Sequence, residues 1–181
     1  MLHGHRISLR PVKDEDVETF YSARSDIKTR GPWVPMPRTS LQGYRADFGR
    51  HGWWSQDDGV FLIVDAADRI LGNVAWEALK GTIPDVELGY GIFDRAEMGK
   101  GLATEAVDLL AGYLFDAYTM NRLLLYIYPD NVASRRVAEK CGFTKEATAR
   151  EAWPLRGKWL DIDIYTLTRR ESEARRATGA A

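Results

Sequence analysis

Two glycines, Gly99 and Gly101, stand between a predicted buried strand and a long helical pattern that begins at Leu102. Because glycine lets a chain turn tightly and approach a ligand closely, this loop can present successive backbone N–H groups from Met98 to Ala103. The start of a helix also has N–H groups without partners inside the helix, which suits an anion such as a pyrophosphate. The alternative is a tight strand-to-helix turn without a ligand.

The glycine spacing matches neither of two common nucleotide-binding loops. The dinucleotide fingerprint needs a third glycine, and the phosphate-binding loop of nucleotide hydrolases needs Gly-Lys followed by Ser or Thr. Here Lys100 is followed by Gly101. The sequence therefore disfavours nucleotide hydrolysis.

The six tryptophans offer another kind of chemistry, because aromatic faces hold planar groups and cations. Most tryptophans simply add buried area, so we expect about two of the six to contact a substrate. Trp33, in a proline-bounded loop, is the first candidate, and Trp76 on a predicted strand is the second.

The histidines and the cysteine do not predict a metal site. His3, His5 and His51 lack the spacing of ligands on one helix face. The single cysteine, Cys141, excludes an intramolecular disulfide and lies on the apolar side of a predicted helix end, where packing is the expected role. We expect no metal and no cysteine nucleophile.

Length and charge narrow the class of protein. The 181 residues suit one domain, and a net charge of −1 gives no overall field that would attract nucleic acid. No apolar run is long enough to cross a bilayer, and the start lacks the apolar core of a signal peptide, so we expect a cytoplasmic protein. Direct nucleic-acid binding would depend on five arginines that we expect on solvated faces or at phosphates: Arg122, Arg135, Arg136, Arg169 and Arg170.

The elements that must position this loop follow from periodicity. A strand in RISLRPV and a helix in DEDVETFYSARSD come first, and residues 25–54 predict short helices and loops. VFLIVDAADRILGNVAWEAL predicts a hairpin, and VELGYGIF predicts a third strand of an antiparallel meander. After the helix at Leu102 come a buried strand in RLLLYIY, a helix in DNVASRRVAEKCGF, and two last strands. The pattern indicates one α+β domain, and residues 171–181, without an apolar pattern, predict a flexible tail.

Three segments in this order carry a family resemblance: MGKGLATEAVDLLAGYLFD, YPDNVASRRVAEKCGF and GKWLDIDIYTLTRRE. They resemble the GNAT superfamily of acyl-CoA-dependent N-acyltransferases. The opening, HRISLRPVKDEDVETFY, is similar to that of the RimJ/RimL subgroup, which resembles ribosomal-protein N-terminal acetyltransferases. The resemblance implies a single domain over residues 1–170. It also implies a mixed, mostly antiparallel twisted sheet, flanked by helices and splayed between its fourth and fifth strands, with acetyl-CoA in the opening.

The resemblance also implies which residues bind CoA. The pyrophosphate would lie on the backbone of six loop residues, which are Met98, Gly99, Lys100, Gly101, Leu102 and Ala103. The pantetheine would pair in strand fashion with Gly91, Ile92 and Phe93. Where the family usually has Arg or Gln three positions before the first glycine, and often Arg just before it, this chain has Ala96 and Met98. Arg95 or Lys100 would then supply the missing positive charge.

Two further residues are implied as catalytic. Ser134, in an Asn-x-x-Ser match with Asn131, would lie near the CoA sulfur and protonate the leaving thiolate, while Asn131 would contact pantetheine. The alternative is that Asp130 or Asn131 only caps a helix and that Ser134 is an ordinary residue of its first turn. Glu87 stands where several relatives carry a glutamate base that acts through water. Its alternative is a strand glutamate that faces solvent or pairs with an arginine.

The implied reaction is direct transfer of an acetyl group to a primary amine in a ternary complex. We predict substrate contacts from Trp33, Trp76, Glu77, Tyr90 and Asp163, of which Tyr90 and Asp163 are also weaker candidates for the base. A protein or peptide N-terminus is the favoured acceptor, and an aminoglycoside or aminoacyl-nucleotide antibiotic is the alternative. A CoA- or peptide-binding module without turnover is the alternative class, and a homodimer is compatible with the aromatic-rich composition.

Overall fold

The computed structural model describes residues 1–26, 31–34, 39–81 and 83–179. Within them, eight strands form one sheet in the order β1-β2-β3-β4-β5-β6-β8-β7. The strands are β1 Leu2–His3, β2 Ser8–Pro11, β3 Asp58–Val64, β4 Ile70–Ala78, β5 Val86–Ile92, β6 Arg122–Ile127, β7 Thr144–Leu155 and β8 Lys158–Thr168. The helices are α1 Val17–Ser25, α2 Leu41–His51, α3 Leu102–Ala117, α4 Val132–Lys140 and α5 Arg169–Ala177. Parts of the predicted loop around Trp33, residues 27–30 and 35–38, lie outside the described residues.

The sheet confirms the predicted α+β domain. Strands β2 to β5 form the antiparallel meander, and β5 and β6 form a parallel pair in an otherwise antiparallel sheet. That pair is short, with Val86 opposite Leu123 and Glu87 opposite Leu124. Beyond these residues β5 and β6 diverge, which leaves the splay predicted between the fourth and fifth strands if the two-residue β1 is not counted.

The two faces of the sheet are covered by different helices. On one face α3 and α4 bury the main core, because the apolar stripe of α3 meets alternate residues of the central strands. On the other face α1 and α2 cover β2 and β3 with a second cluster around Phe20 and Trp53. A third cluster lies on this same face beyond the splay, around Tyr128 and Ile162.

The C-terminal segment corrects one prediction. Instead of a flexible tail beginning at residue 171, Arg169–Ala177 form α5, with a capping box between Thr168 and Glu171. Arg169 donates to the carbonyl oxygens of Phe115 in the last turn of α3 and of Tyr118 and Met120 just after it. Polar bonds attach this segment to the core, although it has no apolar stripe. Apolar periodicity does not detect such bonds.

Candidate active site

The gap lies between β5 on one side and β6 with the start of α4 on the other. Side chains along β5 point alternately to the two faces of the sheet, so the gap has a different lining on each face. Val86, Leu88 and Tyr90 point toward the core under α3 and α4. Glu87 points to the opposite face, where it is the cross-strand partner of Glu77 on β4. A ligand that passes through the gap therefore meets different chemistry on each face of the sheet.

The backbone phase of β5 identifies which peptide groups line the gap. Phe93 donates its N–H to the carbonyl of Leu71, so the antiparallel register directs every second residue of β5 to β4. Leu88, Tyr90 and Ile92 then direct their peptide groups to the open side. Of the three residues predicted to pair with pantetheine, Ile92 has this orientation, whereas Gly91 and Phe93 bond to β4.

Glu87 is partly buried on the α1/α2 face, and no ion pair or hydrogen bond to its carboxylate occurs within the described residues. The alternative of an arginine partner is therefore not seen. Burial, and secondly the charge of Glu77, raise the pKa of Glu87 above its ordinary value. A carboxylate with a raised pKa is a better proton acceptor near neutral pH.

On the other face, Ser134 and Asn131 lie at the start of α4. Asn131 is the N-cap, and its Oδ1 accepts the N–H of Ser134 at 3.2 Å, which is the helix-capping role given above as the alternative. Ser134 Oγ lies 2.5 Å from the hydroxyl of Tyr90 across the gap. Tyr90 therefore belongs to the α3/α4 side, whereas Glu87 belongs to the opposite side.

The glycine loop has the geometry of an anion cradle. Gly99 and Gly101 have φ angles of 76° and 83°, a left-handed region that glycine adopts without strain. Gly101 is the N-cap of α3 and offers no side chain to the first N–H groups of that helix. Around Gly99 there is open space, with no atom of the described residues within 4 Å of where a Cβ would stand. The loop therefore fits a pyrophosphate bound through main-chain N–H groups.

Lys100, one of the two residues predicted to supply positive charge at this loop, is paired with a carboxylate. Lys100 forms an ion pair with Glu97 at 3.0 Å, and Arg69 reaches the same carboxylate at 3.2 Å. Sequence reasoning missed Arg6, whose guanidinium donates to the carbonyl oxygen of Lys100 and to Glu105 of α3. Ninety-nine positions separate Arg6 from Glu105, and the sequence pattern contains no signal for such a contact.

An aromatic wall lines the Glu87 side of the gap. Trp33 stacks on Tyr128 with ring centroids 5.3 Å apart, and Tyr126 lies 5.3 Å from Trp153. These four rings border a cavity of about 400 Å³ that also reaches Glu87 and Ser134. The prediction for Trp33 therefore agrees with its position. Tyr126 and Tyr128 were missed, although their spacing of two in YIY places them on one side of the chain at the end of β6.

Two of the predicted substrate contacts are buried side chains. Trp76 is 2% exposed and packs on Tyr118 in the main core. Asp163 is 3% exposed and bonds to Lys145 and Thr148, each at 2.7 Å. Burial alone would raise the pKa of Asp163, but these hydrogen bonds outweigh it and hold the pKa below the ordinary range. Asp163 is therefore not free to bind a substrate or to serve as the base.

Comparison with known proteins identifies the family. Residues 6–144 match the acetyltransferase (GNAT) domain family. The chain belongs to this family. It is 30% identical over 96% of its length to the probable N-acetyltransferase YjcK of Bacillus subtilis, of which it covers 99%. It is 25% identical to the ribosomal protein uS5-alanine N-acetyltransferase of Escherichia coli, covering 90% of this chain and 88% of that one. The RimJ/RimL resemblance is thereby confirmed.

Solved structures confirm the GNAT fold. A spermidine N-acetyltransferase from Vibrio cholerae, in complex with CoA and spermine, superposes with a TM-score of 0.81 at 18% identity. The match covers 93% of this chain and 98% of that one. The protein is thus a GNAT acyltransferase, a family that uses acetyl-CoA.

The described residues offer no membrane-spanning helix and no metal site. Among the described helices, none combines the length and the apolar character that crossing a bilayer requires. The same residues contain no group of His, Cys, Asp and Glu side chains placed to hold a metal ion. Burial raises the pKa of the Cys141 thiol to about 12, which suits packing in the core.

Proposed function

We propose that this protein transfers the acetyl group of acetyl-CoA directly to a primary amine, with Glu87 as the base and Ser134 as the proton donor. One observation carries the proposal: a carboxylate with a raised pKa and a serine hydroxyl line the same gap from opposite faces of the sheet. A thioester within the gap would have an amine side and a sulfur side.

The proposed reaction conserves protons. A neutral amine attacks the thioester carbon, the C–N bond forms, and the C–S bond breaks. The amine proton passes to Glu87, directly or through water, and the leaving sulfur takes a proton from Ser134, which recovers one from water. Glu87 then releases its proton to solvent, so the proton lost by the amine balances the proton gained by the thiol. The N–H groups of Tyr90 and Ile92, directed into the gap beyond the short parallel pair, are placed to polarise the thioester carbonyl. The chemistry comes chiefly from positioning and from these fixed dipoles.

The first candidate acceptor is a protein or peptide N-terminus. Such an amine has a pKa of about 8, against about 10.4 for a lysine, so it demands less of a carboxylate base. The aromatic wall and Glu87 suit a cationic group that must lose its proton at this point. The name of the Escherichia coli relative, an alanine N-acetyltransferase of ribosomal protein uS5, supports the same class.

A small polycationic amine is the second candidate, and the charge beside Glu87 favours it. A cavity of about 470 Å³ extends from Glu87 along β3 and β4 and is lined by three further carboxylates: Asp57, Asp58 and Glu77. An amine with a second positive charge would find a partner there. The spermidine N-acetyltransferase of similar fold supports testing polyamines beside the aminoglycosides.

The test is thiol release from acetyl-CoA with N-terminal peptides, polyamines and aminoglycosides as acceptors. We expect turnover with one class, and a loss of about 10²-fold or more in kcat for Glu87→Gln. Ser134→Ala should lower kcat as well, whereas the exposed Glu173→Gln on α5 is the matched control and should not. Binding of acetyl-CoA without turnover on any amine would contradict the proposal and favour a binding module.

A further inference from the structure

The hydroxyl of Tyr90 connects the two walls of the gap. Tyr90 belongs to β5, and its hydroxyl lies 2.5 Å from Ser134 Oγ and 3.3 Å from the Ser134 backbone oxygen, both on α4. No other described side chain hydrogen-bonds to Ser134 Oγ. The position of the serine hydroxyl is therefore determined by a residue of the opposite wall.

Two hydrogen-bond arrangements satisfy this geometry. In the first, Tyr90 donates to Ser134 Oγ, and the serine proton is free to point elsewhere. In the second, Ser134 donates to Tyr90, and Tyr90 donates to the backbone oxygen of Ser134. The 2.5 Å contact is a hydrogen bond in both arrangements, but only the first leaves the serine proton available to the sulfur of the acyl donor.

We propose that Tyr90 is a positioning residue that donates its hydroxyl proton to Ser134 Oγ and so directs the serine proton to the sulfur of the acyl donor. The proposal rests on the function proposed above for Ser134. A serine within a helix otherwise tends to donate to the carbonyl three or four residues before it. The bond to Tyr90 holds the oxygen on the side of the gap instead.

The same bond stabilises the serine while it gives up its proton. Negative charge develops on Ser134 Oγ as the sulfur takes its proton, and a donor already in place opposes that charge without reorganising. Tyr90 keeps its own proton throughout, so the balance of the reaction is unchanged. Burial raises the pKa of Tyr90, which agrees with a hydroxyl that acts as a donor and not as a base. The proposal gives Tyr90 a role different from the substrate contact or base that the sequence predicts.

The test combines Tyr90→Phe and Ser134→Ala in a double-mutant cycle. Tyr90→Phe keeps the ring and removes the hydroxyl, and we expect kcat to fall about five- to tenfold with the KM values for acetyl-CoA and amine nearly unchanged. In the Ser134→Ala background the same substitution should lower kcat no further, because Tyr90 acts through the serine. Tyr113→Phe removes a hydroxyl from α3 away from the gap, and its kcat should equal that of the native chain.

The outcomes separate this inference from the proposed function. If Ser134→Ala lowers kcat but Tyr90→Phe does not, Tyr90 has no positioning role and the proposed function stands. If the losses of the two substitutions add, Tyr90 acts independently of Ser134 and the inference is wrong. If Ser134→Ala keeps full kcat, the proton donor of the proposed function is wrong, and the inference fails with it.

Discussion

At the residue scale, two neighbouring carboxylates on β4 and β5 suit a catalytic base but do not stabilise the sheet. Glu77 and Glu87 are direct cross-strand partners, and like charges in this position destabilise an antiparallel pair. The same repulsion, added to burial, raises the pKa of Glu87. A base therefore gains proton affinity from an arrangement that does not help the sheet to form.

This arrangement predicts the pH dependence of kcat/KM. The acid limb of the profile should follow Glu87, which must be deprotonated to act, and Glu87→Gln should remove the limb. Glu77→Gln removes a charge that raises the pKa of Glu87, so the limb should move to lower pH. The measurement is the profile of each variant with one amine acceptor. A limb that stays in place in both variants would mean that it reports the acceptor amine or another group and not Glu87.

Trp33 predicts a different kind of loss. Its ring covers Tyr128 at the wall where the amine would bind, so Trp33→Ala should raise the KM for the amine about fivefold or more with a smaller change in kcat. Trp159, 65% exposed and close to the turn between β7 and β8, is the matched control, and Trp159→Ala should change neither constant. Equal effects of the two substitutions would mean that Trp33 does not contact the amine.

At the element scale, the pyrophosphate loop is held by a segment far away in sequence. The Glu105 carboxylate, in the first turn of α3, accepts the backbone N–H and the side chain of Arg6. The guanidinium of Arg6 also reaches the carbonyl of Lys100 and lies 3.0 Å from where a Cβ on Gly101 would stand. The segment before β2 thus fixes the conformation of the loop from outside.

We expect Arg6→Ala to weaken acetyl-CoA binding through the pyrophosphate alone. The KM for acetyl-CoA should rise about tenfold, because hydrogen bonds to a charged group are lost from the loop. The KM for S-acetyl-pantetheine, which lacks the pyrophosphate, should not change. Arg45→Ala is the control, since Arg45 pairs with Glu18 on the surface. A similar rise for both donors would mean that Arg6 supports the whole fold instead of the loop.

The sequence predicted the elements around the site better than the direction of their side chains. The glycines that end one element and begin another, and the apolar stripe of α3, mark the boundaries because they are local signals. The central strands are buried on both faces, so alternation in ILGNVAWEA did not show that Trp76 faces the core. In DIDIY the alternation is clear. The residues that bond to Asp163 are Lys145 and Thr148, and they come from another strand.

At the scale of the whole molecule, polar bonds to carbonyl groups complete the fold where apolar periodicity ends. Arg175 of α5 donates to the carbonyl of Cys141 at 2.6 Å and to Asp108 of α3 at 3.0 Å, beside the end of α4. Arg169 makes corresponding bonds to the carbonyls of Phe115 and Tyr118 at the end of α3. The final carbonyls of a helix have no partner inside it, so these arginines satisfy groups that folding would otherwise leave unpaired.

Arg169→Ala therefore tests whether α5 is part of the folded domain. The substitution leaves the carbonyls of Phe115, Tyr118 and Met120 without this donor, which should lower the free energy of unfolding by about 2 to 4 kcal/mol. Arg170→Ala, the exposed neighbour, should lower it by less than about 0.5 kcal/mol. Urea unfolding of the two variants gives the comparison, with kcat below the transition expected to stay native in both. Equal and small losses would instead show that the bonds of Arg169 do not hold the start of α5 against the end of α3.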